Sequence, residues 1–92
     1  MPNQTSWDCA DALERDKTIS RGNTIVEGGY LILFGNKIAY KAKSGGIFIT
    51  NCGWTSRTTF DRLNALNNVH VSNHGGILEL NGRRWDGEWI KV

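Results

Sequence analysis

The chain has 92 residues, 39% of them hydrophobic, with 11 Lys and Arg against 9 Asp and Glu. That length fits one domain over 1–92 with one modest core, and the ordinary charge and hydrophobicity exclude a disordered chain. The longest apolar run, Tyr30–Phe34, is far short of the roughly 20 residues of a membrane span; no secretory signal is present, and two cysteines are too few for a disulfide framework, so a soluble, cytoplasmic protein without membrane contact is expected.

Thr5, Ser6 and Asp8 form a helix-start signal, with the acid where the helix dipole favours it. The formers Ala10, Ala12, Leu13 and Glu14 predict a helix over Trp7–Lys17. Trp7, Ala10 and Leu13 recur every three residues, a narrow apolar stripe that packs the helix on a sheet. Residues 1–20 carry four acids and two bases, and residues 21–92 nine bases and five acids, so negative charge gathers on this helix.

From Asn23 onward the pattern changes to short strands between turn residues. Gly28-Gly29 precedes Tyr30–Phe34, and Gly35-Asn36 reads as the two-residue turn into Lys37–Lys43. Ser44-Gly45-Gly46 leads into Ile47–Thr50. Val69–Val71 and Ile77–Leu80 follow, and Asn81-Gly82 is the strongest hairpin dipeptide in the chain. Between Ile47–Thr50 and Val69–Val71 lies Thr55–Asn67, where Thr58 and Asp61 form a capping box and Phe60, Leu63 and Leu66 an apolar stripe. The expected fold is α+β: an antiparallel β-sheet of five to six strands with two short α-helices.

No catalytic or metal-binding constellation stands out. Cys9, Cys52, His70 and His74 are scattered without a Cys-x2-Cys pair. Asp86 and Glu88 share a face in a strand, but Asp86-Gly87 reads as a turn. Gly28-Gly29 and Gly45-Gly46 are hairpin glycines rather than phosphate cradles. No metal, cofactor, small-molecule substrate or enzymatic activity is expected.

The positive charge says more. Strict alternation places Lys37, Lys41 and Lys43 on one strand face and Ile38, Tyr40 and Ala42 on the other. With Arg57, Arg62, Arg83 and Arg84 they would make a basic surface for a phosphate backbone. The competing reading is that strand lysines guard a sheet edge against unwanted pairing. Arg62 is expected to be exposed or paired with an acid, and Asn64, unfavourable in mid-helix, to bond to the preceding loop. Of the four tryptophans, Trp54 and Trp89 are expected in the core. Trp85, beside Arg83 and Arg84, is expected as an exposed anchor.

Ile47–Leu66, with Gly53-Trp54-Thr55, Thr58-Thr59 and Arg62-Leu63-Asn64, resembles small proteins of phage accessory regions. The ending Leu80–Ile90 resembles their closing hairpin. The resemblance covers about half of the chain and implies a phage origin. In size and make-up the chain is similar in type to anti-CRISPR inhibitors, which commonly act without catalysis by occupying a host nucleoprotein complex. That similarity implies a partner, a host CRISPR-Cas ribonucleoprotein (protein and guide RNA), engaged by the lysines, the arginines and Trp85 so as to block target nucleic-acid binding. The alternative is a phage nucleic-acid-binding accessory protein, which would bind naked strands with a steep salt dependence.

Overall fold

A computed structural model describes residues 2–92. The chain forms α1 (Gln4–Glu14), β1 (Ile19–Arg21), β2 (Thr24–Glu27), β3 (Tyr30–Leu33), β4 (Asn36–Lys41), β5 (Ile47–Ile49), α2 (Arg57–Asn64), β6 (Val71–His74), β7 (Ile77–Leu80), β8 (Arg83–Arg84) and β9 (Ile90–Lys91). A six-stranded antiparallel sheet runs in the order β1-β2-β3-β4-β5-β9, and β6-β7-β8 make a smaller three-stranded sheet. The α+β class and the upper strand number hold. The second sheet is additional, and β9 returns from the chain end to pair with β5.

Both helices begin earlier than the sequence suggests. Asn3 caps α1 by accepting from the Ser6 amide, because Ser6 itself is drawn inward to Asp61 and Arg62. The helix stops at Glu14 in a Schellman turn: Asp16 takes φ +57° and the Lys17 amide donates to the Ala12 carbonyl at 2.8 Å. Ser56, not Thr58, caps α2 through the Thr59 amide. Asp61 does not reach back to Thr58 but crosses to the Asn3 amide and the Ser6 hydroxyl. Asn64 bonds forward, not to the loop before it: its side chain accepts from the Val71 amide at 2.6 Å and donates to the Val71 carbonyl at 3.1 Å.

α1 packs across β1 to β4, and α2 packs on α1, β4 and β6. The covered sheet face supplies Val26, Leu31, Leu33, Ile38, Ala39 and Ile49, which meet Leu13 and Leu63 of the helices in one buried cluster. A Leu or Ile side chain fully buried in this way contributes about 1.5–3 kcal/mol.

The β3–β4 hairpin decides which side chains face away from the helices. Its turn residues are Phe34 (φ +50°) and Gly35 (φ +79°), one position earlier than expected, so Asn36 opens β4. The register then slips opposite Leu31, where Ile38 and Ala39 both point into the core. Such a bulge reverses the side-chain phase of everything after it. Lys37 and Tyr40 therefore stand on the open face, while Ala39 and Lys41 stand on the helix side. The expected lysine face is corrected accordingly, and so is the edge-guard reading, since β4 lies between β3 and β5.

The tryptophans also differ from expectation. Trp54 and Trp89 are exposed at 55% and 49%, whereas Trp85 is buried at 7%. The segment after β8 turns inward: Thr50 Oγ1 donates to the Gly87 carbonyl at 2.6 Å, and Trp85 Nε1 donates to the Glu88 carbonyl at 3.0 Å. A Cβ at Gly87 would lie 2.5 Å from the Asn51 side chain, so this close approach requires glycine.

Candidate binding surface

The helices leave one face of the six-stranded sheet uncovered. Beside the β2–β3 turn the strand registers align Glu27, Tyr30, Tyr40, Phe48 and Lys91, one residue from each of five neighbouring strands. This row is a consequence of alternation and the bulge together. Without the slipped register, Tyr40 would point into the core and the row would lose its centre.

The three rings stand against one another as a preassembled ridge. Tyr30 and Tyr40 lie 5.3 Å apart between centroids with 24° between planes. Tyr40 and Phe48 lie 5.7 Å apart with 23° between planes. Such offset pairs contribute about 0.5–1.5 kcal/mol each beyond their burial. The Lys37 ammonium sits 4.3 Å from the Tyr30 ring centroid, a cation–π contact with one ring of the stack. Trp89 joins Tyr30, Lys37, Tyr40 and Phe48 in lining a shallow hollow of about 410 Å3 above the ridge. Lys91 runs along Gly46, its Cε 3.0 Å from where a Cβ would sit. Among the described residues, Glu27, Lys37 and Lys91 have no ion-pair partner.

The residues singled out from the sequence are dispersed around this face rather than gathered on it. Lys37 alone belongs to it. Lys41 lies on the helix side, where its ammonium donates to the Glu14 carbonyl at 2.6 Å and to Asp16 at 3.2 Å, closing the C-terminus of α1. Lys43 is exposed in the β4–β5 turn, Arg57 is exposed at the start of α2, and Arg83 and Arg84 are exposed on β8. A second hollow of about 560 Å3 beside β8 is lined by Arg84, Trp85, Asp86 and the half-exposed Ile77 and Ile90.

Arg62 is removed from any contact role by burial. At 5% exposure it donates to Thr24 at 2.9 Å, Ser6 at 2.8 Å and Asn23 at 3.2 Å, with Asp61 3.7 Å away. Burial raises the Asp61 carboxyl, but the Ser6 hydroxyl, the Asn3 amide and the Arg62 guanidinium outweigh it and hold the group below its ordinary value. Burial likewise pushes the Cys9 thiol up, and both Cys9 and exposed Cys52 are free. Among the described residues no group of three or more His, Cys, Asp and Glu is placed to hold a metal ion, and no helix is long and apolar enough to cross a membrane.

Glu27, Tyr30, Tyr40, Phe48, Trp89 and Lys91 escape a reading of charge runs and tryptophan positions. The signal that finds them is cross-strand: aromatic residues at matching positions of three adjacent strands. Reading it requires the turn and the bulge to be placed first.

Comparison with known families matches residues 3–86 to the Kyanoviridae Gp96 protein, a phage family. No curated protein and no solved structure matches the chain. The family match runs from the cap of α1 to the segment after β8 and takes in the ridge of Tyr30, Tyr40 and Phe48. With that much of the sequence matched, the protein belongs to the Kyanoviridae Gp96 family of phage proteins.

Proposed function

We propose that this phage protein acts by binding rather than catalysis, in the host cytoplasm, docking through the open sheet face onto a host protein complex. In its most specific form the reading is an anti-defence inhibitor that occupies a CRISPR surveillance complex and blocks target nucleic-acid binding. The observation that carries it is the stacked ridge of Tyr30, Tyr40 and Phe48, assembled and uncovered beside a half-exposed Trp89. Tyr and Trp dominate the energetic centres of protein interfaces, where a rigid ring loses little entropy on contact.

Naked nucleic acid suits this surface less well. Base stacking needs free ring faces. Here the rings stack on one another, and the Lys37 ammonium lies over the Tyr30 ring. Two ammonium groups offset by Glu27 also give little counterion release. Lys43, Arg83 and Arg84 remain exposed and could meet guide-RNA phosphates at the border of a protein contact.

The test is a pull-down of tagged protein from host lysate, with and without nuclease, read by mass spectrometry, for the wild type and Tyr40→Ala. The expected result is a surveillance complex retained after nuclease, lost with Tyr40→Ala, and unable to bind target in the presence of the wild-type protein. Recovery of bulk nucleic acid alone moves the assignment to the accessory nucleic-acid-binding protein. A complex that is captured but still binds its target overturns the inhibitor.

A further inference from the structure

The order of charges along the open face indicates what covers it before a host partner arrives. The row Glu27–Tyr30–Tyr40–Phe48–Lys91 begins with an acid on β2 and ends with a base on β9. Among the described residues neither end has an ion-pair partner in its own chain. A row that is negative at one end, positive at the other and aromatic between is complementary to itself turned end for end.

We propose that the open face is covered in the free protein by a second copy of the chain, in a two-fold face-to-face dimer that the host partner must displace. This rests on the reading of the face as the binding surface. A two-fold axis along β4 through Tyr40 reverses the row. It sets Glu27 against Lys91 of the second copy, Tyr30 against its Phe48, and Tyr40 against its own image. A two-fold axis laid across the strands would instead oppose Glu27 to Glu27. Sheets packed face to face lie about 10 Å apart, a gap that interdigitated aromatic and long side chains fill. Two-fold pairing of one patch with itself is the commonest way soluble proteins associate. Lys37 lies near this axis, but its ammonium is drawn over the Tyr30 ring on the neighbouring strand and so away from its image.

Sedimentation equilibrium of the purified full chain tests this without any host component. The expected result is a reversible monomer–dimer equilibrium. Glu27→Lys and Lys91→Glu should each raise the dimer dissociation constant at least about tenfold, because each sets like charges opposite one another at both ends. The double exchange should return it to near the wild-type value. Both side chains are exposed, and circular dichroism verifies that the variants fold. A wild-type protein monomeric up to about 1 mM, a dimer indifferent to the single reversals, or a double exchange that fails to restore pairing would each overturn the proposal. The host reading is judged separately by the pull-down. Capture of the complex by a protein that never dimerises sinks only the dimer, and a well-behaved wild-type dimer that captures nothing even when diluted to the monomer sinks only the host reading.

Discussion

On the helix-covered side of the six-stranded sheet, polar groups are satisfied within the chain; on the open side, charged and aromatic groups wait. Arg62, almost fully buried, serves Ser6, Asn23 and Thr24, and no buried side-chain nitrogen or oxygen among the described residues lacks a hydrogen bond. Among the described residues, Glu27, Lys37 and Lys91 on the other face have no ion-pair partners, and Trp89 is half exposed. The same strands build both surfaces, because alternation sends neighbouring residues to opposite sides. The difference separates what holds the fold from what is available for contact.

The sharpest way to break that separation is at Arg62. Arg62→Ala should destabilise the protein by about 3–5 kcal/mol, since it leaves Asp61 without its cation and the buried Ser6 and Thr24 hydroxyls without its donors. Arg62→Lys should recover only part of this, because one ammonium cannot reach acceptors on α1, the β1–β2 turn and β2 together. Urea unfolding measures both. An Arg62→Ala variant within 1 kcal/mol or so of wild type would show that the network is ornamental.

Next in size is a comparison of two side chains on opposite faces. Leu31 is fully buried on β3, and Leu31→Ala should cost about 2–5 kcal/mol through the cavity it leaves. Tyr40→Ala on the open face should cost about 1–3 kcal/mol, the two stacking pairs it loses, while abolishing partner capture. Equal stability losses for the two would mean that the ridge belongs to the core.

A pH titration probes the covered side more gently. The Asp61 carboxyl is held below its ordinary value in the folded protein. Its contribution is therefore complete above the unfolded value near pH 4 and is lost as pH falls through the lower folded value. Asp61→Asn should lower stability by about 1–2 kcal/mol at neutral pH and flatten the acid loss. Urea midpoints at neutral pH and near pH 3, wild type against variant, give the difference. A variant that loses stability in acid as steeply as wild type would assign the acid sensitivity elsewhere.

Much of the covered side was legible in the sequence, and little of the open side was. The α2 stripe, the Asn81-Gly82 turn and the paired glycines at 28 and 29 announce their structure through local rules. The row Glu27–Tyr30–Tyr40–Phe48–Lys91 does not, because its members are far apart in sequence and meet only through register. A one-residue error at the Phe34-Gly35 turn and an unseen bulge at Ile38–Ala39 turned Tyr40 inward and aligned Lys37 with Lys41. Trp85 misled for a related reason. Its neighbours Arg83 and Arg84 are exposed, but the chain turns in at Gly87, whose close approach to Asn51 leaves no local mark beyond the glycine itself.

The smallest effect lies in the β3–β4 turn. Phe34 holds φ +50° in the β3–β4 turn and is 68% exposed, so a large aromatic occupies a backbone region that disfavours it and gains little burial there. Asn adopts that conformation readily and suits the first position of a type I′ turn. Phe34→Asn should therefore stabilise the protein by about 0.5–1 kcal/mol, raising the melting temperature by a few degrees in a chain of this size. A residue that costs stability while facing solvent fits a contact surface kept for binding, as function commonly opposes stability at such sites. If the melting temperature falls instead, the Phe34 ring packs in the folded protein, and the turn belongs with the stabilising side of the sheet.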